Sequence, residues 1–454
     1  VGMDGDKRAA LSFAEEILAI LLPVLVIFGG IALILMPWVV EYFITDGFEK
    51  DNNNLNIAIR TAQIAFPYIL FMSLATLIAA ILNSLSRFAA AAAAPIILNL
   101  CLLVALGYGM TLDGGVKDRQ TTVQLMAIAV SLSGVLQILW LGFFLRRAGF
   151  KLGIKPPRIT EGVKELTILA IPAIFGAGVY QIGRFIDLFF LSTLPVGSYT
   201  HLQMADRWNQ LPLGVIGIAL STAILPSLSR LIGSENTREA DRLQSNAIEF
   251  SMLLTLPSAV ALFFTGTAFV QVFMTGQAFT QQDADTTGMV VSALVIGLPA
   301  YVLVKVLTPN FFARKDTRTP VITAAISLGI TVVLNYYFIF ILSAGVEGLA
   351  LAGAIGAWVN IFLLCGILHR KGFYRIPIKT LGRIVRILLS TAVMGSVLWF
   401  LMKNIGTWFV GSIQQQISGI FAIIVSGSLS YCVSALLLGA MDKKTLDRLA
   451  GRTS

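Results

Sequence analysis

The sequence predicts an all-α polytopic membrane protein with about twelve transmembrane helices. Hydrophobic residues make up 56% of the 454 residues and charged residues only 13%, whereas soluble domains average about 25% charged residues. The apolar residues form blocks of roughly 20, the length at which a helix crosses the ~30 Å hydrocarbon core of a bilayer. Transmembrane β-strands would be shorter and would alternate in polarity, which is not the pattern of these blocks.

The predicted spans follow one another along the chain with short polar loops between them. They are residues 17–40, 64–85, 91–110, 122–145, 166–193, 208–229, 247–268, 288–310, 319–343, 347–368, 383–402 and 417–440. Lys and Arg concentrate in alternate loops, as in RRAGFKLGIKPPR after the fourth span and HRKGFYRIPIKTLGRIVR after the tenth. Cytoplasmic loops are enriched in Lys and Arg, so both termini are predicted to be cytoplasmic.

The opposite set of loops is acidic. It contains EYFITDGFEKDNNN after the first span and TGQAFTQQDAD before the eighth, and these loops are expected to face outward. The net charge of +9 therefore reflects membrane topology, and no nucleic-acid partner is expected.

The cysteines and histidines do not form a ligand set. Cys101, Cys365 and Cys432 lie in three different apolar blocks, and His201 and His369 lie far apart in sequence. We interpret the cysteines as small core residues and predict no metal site.

Three sequence matches indicate an internal repeat. The corresponding pairs are Pro23 and Pro257, Pro67 and Pro299, and Gly149 and Gly372, at offsets of 234, 232 and 223 residues. The second copy has two further spans ahead of its matched region, so the first copy is expected to lack two helices. We therefore expect the sequence to be part of a protein with about fourteen helices, built from two parallel-related six-helix halves. The predicted parts are residues 1–160, residues 161–378 and a two-helix appendage, residues 379–454.

Charged side chains inside predicted spans mark the candidate site. A charge at mid-membrane costs ~2.5–3.5 kcal/mol on insertion scales, so each one is expected to face a cavity or a partner. Gln181, Arg184 and Asp187 follow one another at i, i+3 steps on one face of the fifth span. The alternative is that Arg184 and Asp187 only neutralise each other.

Two further cations lie in the second half. Lys305 stands midway along the eighth span, and Arg207 follows Asp206 at the head of the sixth span. The alternatives are that Lys305 extends to the interface and that Arg207 pairs with Asp206. Together with Arg184, these residues predict a cationic cavity, and because the guanidinium fork binds phosphate well, the implied substrate is anionic.

Four stretches carry a specific resemblance. ADRWNQLPLGVIGIALSTAILPSLSR, FPYILFMSLATLIAAILNSLSRF, LPSAVALFF and VKVLTPNFFARKDTRTP resemble the MurJ family of lipid II flippases, within the multidrug/oligosaccharidyl-lipid/polysaccharide exporter superfamily. The resemblance runs from the family's third helix to its fourteenth. It implies alternating-access export of lipid II, an undecaprenyl-pyrophosphate-linked glycopeptide, across the bacterial cytoplasmic (inner) membrane. The pyrophosphate would enter a central cationic cavity, and the lipid tail would lie in a groove formed by residues 383–440.

The resemblance also assigns residues. Arg207 is the cavity arginine that can be carried over, and Gln210 stands where some relatives have Glu. Asp187 and Asn335 match positions at which relatives bind sodium, but Ile339 replaces a second Asp there. A hard cation prefers several oxygen ligands. No cofactor is expected, and coupling to Na⁺ or to the membrane potential stays open.

The candidates for a gate or an ion site are therefore Asp206, Asp187, Asn335 and Gln181. The resemblance implies lipid II and membrane lipids as partners, with other cell-wall synthesis proteins as further candidates.

The alternatives to lipid II export are of three kinds: a related exporter, a membrane enzyme and a silent scaffold. A related exporter of drugs would have a cavity rich in acids, whereas this one is basic; an exporter of another lipid-linked oligosaccharide stays open. A membrane enzyme acting on a lipid-linked sugar needs an acidic or histidine cluster in a loop. The outer loops DADTTG and EKDNNN are typical of solvated loops, so no enzyme activity is expected. A silent scaffold is the remaining alternative.

Overall fold

The computed structural model describes residues 3–43, 52–85, 87–111, 119–150, 153, 156–158, 160–276 and 279–441. Side chains are described for these residues except 3–11, 42–43, 52–54, 119, 165–166, 168–177, 179–180 and 218. Most of the predicted outer loop at residues 44–51 and the basic C-terminal residues 442–454 lie outside the described residues. Every regular element in the described ranges is helical, so the predicted all-α class is confirmed.

Eleven stretches of helix in the described ranges are long and apolar enough to cross a membrane. They are Ser12–Glu41, Leu55–Ser84, Phe88–Thr111, Gln120–Arg147, Ser198–Gly233, Thr237–Met274, Gln281–Phe312, Arg318–Ile341, Gly345–Arg370, Ile378–Val410 and Ile413–Leu437. These match the predicted spans except the fifth, 166–193. That span falls within a 32-residue helix, Glu161–Ser192, in which many side chains are not described.

The first compact unit, Val1–Gly178, contains five complete helices and the beginning of a sixth. They are α1 (Met3–Phe43), α2 (Asn52–Ala65), α3 (Pro67–Ser84), α4 (Phe88–Thr111), α5 (Arg119–Arg147) and α6 (Glu161–Ser192). Helix α5 packs against α2, α3 and α4. Trp140 of α5 donates its indole N–H to the carbonyl oxygen of Ala90 at 3.1 Å, which ties α5 to α4 and satisfies a polar atom inside an apolar contact.

The second compact unit, Val179–Ser454, contains the end of α6 and all later helices. They are α7 (Ser198–Pro212), a π-helix (Leu213–Ile218), α8 (Ala219–Gly233), α9 (Thr237–Met274), α10 (Gln281–Val295), α11 (Leu298–Phe312), α12 (Arg318–Tyr336), a second π-helix (Tyr337–Ile341), α13 (Gly345–Arg370), α14 (Ile378–Ile405), a 3₁₀-helix (Gly406–Val410) and α15 (Ile413–Leu437). Helix α9 is central, since it packs against α8, α10, α11 and α14.

The internal packing of α1–α5 recurs in α9–α13. In the first unit α1 contacts α2 and α3, and α5 contacts α2, α3 and α4; in the second, α9 contacts α10 and α11, and α13 contacts α10, α11 and α12. Each set also has one broken helix, at Phe66 before Pro67 and at Ile296 and Gly297 before Pro299. Proline removes a backbone donor, so it ends the preceding helical segment at both places. The predicted division at residues 160 and 378 stays a prediction. The two compact units are divided elsewhere, at residue 178 inside α6.

Close contacts hold the second unit together. The backbones of α9 and α10 approach so closely at Gly288 that a Cβ atom there would lie 2.6 Å from the Cα atom of Thr267. Helix α14 is attached to α9 by the Glu249 carboxylate, which accepts hydrogen bonds from Arg383 at 3.0 Å and Thr380 at 2.8 Å. The Tyr431 hydroxyl of α15 also donates to a carbonyl oxygen of α9 at 2.6 Å.

Candidate functional site

A pocket of about 370 Å³ lies beside the second part of α6 and the beginning of α7. Its polar wall is formed by Gln181, Arg184, Asp187, Tyr199 and Gln203. Its apolar wall is formed by Phe185, Leu188, Leu191 and Leu202. The three α6 residues of the polar wall are those that the i, i+3 spacing places on one face, so one helix contributes a cation, an anion and an amide to the same space.

The ion pair at this site joins α6 to α7. The Nη2 atom of Arg184 lies 3.4 Å from the Oδ2 atom of Asp206, with side-chain exposures of 42% and 20%. The Nε2 atom of Gln210 donates to the same carboxylate oxygen at 3.3 Å. Asp206 therefore interacts with a cation from α6 and an amide from its own helix, and the Arg184 guanidinium is not committed to Asp187 alone.

Asp187 lies next to a buried amide. Asn335 of α12 is fully buried, and neither polar atom of its side chain has a hydrogen-bond partner in the described part of the chain. The Asn335 amide lies close to the Asp187 carboxyl, and Arg184 interacts with that carboxyl electrostatically. One helical turn further on, inside the second π-helix, Ile339 is also buried.

The described donor set around Asp187 is small. It offers the carboxyl of Asp187 and the amide oxygen of Asn335, whereas the Ile339 side chain supplies only hydrocarbon. A group of three or more His, Cys, Asp or Glu side chains able to hold a metal is absent from the described residues. A hard cation takes several oxygen ligands, and a guanidinium already stands beside this carboxyl.

The other two predicted cations do not line the pocket. Arg207 and Lys305 are both exposed, and in the described ranges neither forms an ion pair within 4 Å. The stem of Lys305 lies against the first π-helix, because its Cγ atom is 3.7 Å from the Cβ position of Gly217. The structure thus brings together Arg184 and Asp206, and leaves Arg207 and Lys305 as separate exposed cations.

The position of Arg207 is determined by its neighbours in α7. The next residue, Trp208, packs its ring against Phe269 and Phe273 of α9, at centroid distances of 5.6 Å and 5.9 Å. Asn209 is buried. These contacts fix the face that α7 turns toward α9, and Arg207 remains exposed just before Pro212 and the π-helix. Single π-turns are frequent at functional sites.

Sequence reasoning missed three polar residues near the beginning of α7. Gln203 donates to the Tyr199 hydroxyl oxygen at 2.6 Å, and both line the pocket. His201 contacts the Thr287 hydroxyl at 2.9 Å. The i, i+4 spacing of Tyr199 and Gln203 was a signal for the first pair. The partner of His201 is 86 residues away, so no local pattern indicated it.

The helices of the described ranges define an all-α polytopic membrane protein with an ion pair beside a pocket. Two solved structures share this fold. A lipid II flippase MurJ in an inward closed conformation matches with a TM-score of 0.73 and 21% identity, over 95% of this chain and 84% of that one. An inward-facing multidrug resistance transporter of the MATE family, within the MOP superfamily, matches with a TM-score of 0.69 and 15% identity, over 82% and 83%.

Sequence similarity identifies the family. A family model described as lipid II flippase MurJ matches residues 2–418. A probable lipid II flippase MurJ of Rhizobium tropici is 35% identical over 446 residues, 97% of this chain and 81% of the relative. The lipid II flippase MurJ of Burkholderia cenocepacia is 32% identical over 386 residues, 82% of this chain and 71% of the relative. The chain belongs to the MurJ family of lipid II flippases, which confirms the resemblance inferred from its motifs.

Proposed function

We propose that this chain flips lipid II across the bacterial cytoplasmic membrane by alternating access. The observation that carries the proposal is the pocket lined by Arg184, whose guanidinium pairs with Asp206, in a chain of the MurJ family. The curated relatives are named lipid II flippase, and the chain matches them over most of their length. Transport requires no bond of the substrate to be made or broken, so the chain is proposed to act without catalysis and without a cofactor.

The cations would bind the pyrophosphate of the substrate. Arg184 offers a planar guanidinium that can bind two phosphate oxygens at once, while Lys305 acts as a point charge. Arg207 is exposed and carries no ion pair in the part of the chain that the structure describes, so its guanidinium is available to a ligand. A charge without a partner is costly inside a membrane, and a substrate phosphate would offset that cost.

The lipid tail would lie along α14 and α15. Phe400 of α14 and Phe421 and Leu429 of α15 have exposed side chains, at 64%, 68% and 64%. Each helix contains a stretch that is long and apolar enough to cross a membrane. An isoprenoid chain on this surface would remain in contact with apolar side chains while its head group crosses the membrane.

The membrane potential is the proposed energy source. Asp187 and Asn335 supply two side-chain oxygen donors, fewer than a hard cation usually takes, which supports the membrane potential over sodium coupling in this proposal. A potential that is negative inside favours outward movement of an anionic head group by about 2.3 kcal/mol per charge per 100 mV. We further propose that the chain lies in the inner membrane with both termini cytoplasmic and that other cell-wall synthesis proteins are partners.

The proposed function is tested by depletion of a host's own flippase. Expression of the protein should restore growth and the appearance of lipid II in the outer leaflet. Normal membrane insertion without flipping would refute the proposal, and flipping of a different lipid-linked oligosaccharide instead would establish the related-exporter alternative.

Arg207 provides the sharpest variant. Arg207→Ala should abolish flipping, and Arg207→Lys should retain little activity because an ammonium lacks the planar fork. The matched control is Arg242→Ala, since Arg242 is an arginine 74% exposed in a surface pair with Glu239. Activity of both Arg207 variants equal to that of the control would remove Arg207 from the substrate site.

A further inference from the structure

We infer that the Asp206 carboxylate is an internal counter-anion, which holds the Arg184 guanidinium while the site is empty and is displaced by a substrate phosphate. The inference rests on the proposed function and deepens it. It assigns Asp206 as a positioning residue that controls when Arg184 is available, rather than as a direct ligand of the substrate.

The contact is loose enough to be exchanged. The distance of 3.4 Å between Nη2 of Arg184 and Oδ2 of Asp206 exceeds the 2.7–2.9 Å typical of strong charge-assisted hydrogen bonds. The Arg184 side chain is 42% exposed, so an anion can reach it without unfolding the helix pair. An exposed pair of this kind contributes little stability, which makes replacement of one anion by another inexpensive.

The guanidinium already faces the space that a ligand would occupy. Arg184 lines the pocket of about 370 Å³, whereas Asp206 is not among its lining residues. A phosphate group in the pocket would approach Arg184 from the pocket side and offer two oxygens to its fork, against the single oxygen that Asp206 places within 3.4 Å. The geometry therefore favours exchange toward a phosphate once one is present.

Asp206 would keep a partner after the exchange. The Nε2 atom of Gln210 donates to the same oxygen, Oδ2, at 3.3 Å from one turn further along α7. Gln210 is an amide, so it holds the carboxylate without competing for the guanidinium. On the other side, Asp187 interacts electrostatically with Arg184 from the same helix and remains beside it throughout. Neither charge is left alone when Arg184 turns to the phosphate.

Such an exchange makes anion binding weaker and reversible. The apparent affinity of a ligand falls by the fraction of time for which its binding group is available. A transporter must release its substrate after binding it, so binding that is too strong would slow transport. The internal anion restores the empty arrangement of Arg184 once the phosphate leaves.

The test measures inorganic pyrophosphate binding to the purified full chain at low ionic strength. We expect Asp206→Asn to bind pyrophosphate about fivefold more tightly than wild type, equal to about 1 kcal/mol at 1.4 kcal/mol per tenfold. Arg184→Gln should bind weakly, and the double variant should bind as weakly as Arg184→Gln alone. The gain from Asp206→Asn should also shrink as salt is added, because the pair is partly exposed.

The double variant separates the inference from a simpler effect. Removing any negative charge near an anion site would strengthen anion binding, and that general effect would persist after loss of Arg184. The control is Glu239→Gln, which removes a carboxylate that pairs with Arg242 at an exposed site and should leave binding unchanged. Lipid II should compete with bound pyrophosphate, which distinguishes a lipid-linked phosphate from a free one as the natural ligand.

Three results would overturn the inference. They are unchanged or weaker binding by Asp206→Asn, an equal gain in the Arg184→Gln background, and no pyrophosphate binding by either wild type or Asp206→Asn. If Asp206→Asn does not fold, Asp206→Ser removes the same charge and is judged by the same criteria. If the wild-type protein binds pyrophosphate as expected but does not flip lipid II, the proposed function is refuted while the counter-anion role of Asp206 stands.

Discussion

Replacement of Glu249 by alanine should loosen the C-terminal helix pair from the rest of the second unit. The Glu249 carboxylate accepts hydrogen bonds from Arg383 at 3.0 Å and from Thr380 at 2.8 Å, both on α14. The Glu249 and Arg383 side chains are 14% and 25% exposed, so the pair is mostly shielded from solvent. The Nε atom of Arg383 also donates to the carbonyl oxygen of Ala440 at 3.2 Å, beyond the end of α15.

The expected loss is about 2–3 kcal/mol. Removing one partner of a fully buried pair costs about 3–5 kcal/mol, because the other charge is left without compensation. The partial exposure of Arg383 and its remaining bond to Ala440 reduce that cost. A hydrogen bond to a charged group contributes about 1.5–3 kcal/mol, which agrees with the lower value. We expect the melting temperature to fall by about 2–3 °C, because the entropy of unfolding grows with chain length.

The assay is thermal melting of the purified protein in detergent, together with hydrogen exchange of the α14 and α15 amides. Exchange should accelerate in these two helices more than in α10 or α11. The control is Glu239→Ala, whose partner Arg242 is 74% exposed, and a pair of that kind contributes about 0.2–1 kcal/mol. Equal melting of Glu249→Ala and Glu239→Ala, or uniform acceleration of exchange, would refute the reasoning.

Three further predictions concern stability in other parts of the chain. Gly288→Ala should destabilise the protein by about 1–3 kcal/mol, because the added Cβ atom would overlap the backbone of α9. The control is Gly366→Ala, which has nothing within 4 Å of its Cβ position and should melt no lower than wild type. Equal melting temperatures of the two variants would contradict this prediction. Burial raises the pKa of Asp316, but hydrogen bonds from Lys371 and a neighbouring threonine lower it by more, so that the net pKa is about 2. Because the folded-state pKa of Asp316 lies below the ordinary value of 3.8, the ionised carboxylate stabilises the fold. Discounted for the 43% exposure of Lys371, this stabilisation is about 1 kcal/mol. It is fully present above pH 3.8 and is lost as the pH falls through about 2. Melting curves from pH 5 to pH 2 should show this loss in wild type and a smaller one in Lys371→Met; identical acid profiles would argue against the pair. Gln137→Met should stabilise by about 1 kcal/mol, since both polar atoms of this fully buried side chain lack a partner in the described part of the chain, and a lower melting temperature would contradict it.

The membrane character of the chain and most span positions could be predicted from the sequence. Hydropathy is a local property, since a run of about 20 apolar residues has to cross the bilayer as a helix wherever it lies in the fold. The placement of Gln181, Arg184 and Asp187 on one wall also followed from local spacing, because residues three apart share a helical face. All three line the pocket.

The correspondence of Pro67 and Pro299 was visible in the sequence as one weak match. The structure gives it a physical meaning, since a helix breaks just before each proline and the helices on either side pack in the same order in both units. Proline alone does not decide this, because Pro23 and Pro257 lie inside unbroken helices, α1 and α9.

The partners of Arg184 and Glu249 were decided by tertiary structure. Local spacing offered Asp187 as the partner of Arg184, whereas the structure forms an ion pair within 4 Å between Arg184 and Asp206, 22 residues away. Glu249 pairs with Arg383, which lies 134 residues further along the chain. Helical periodicity determines which residues share a face within one helix, but it contains no information about which face of another helix lies opposite. The packing of side chains such as Trp208 sets that rotation, and so it decides that Arg184 meets Asp206 while Arg207 remains exposed.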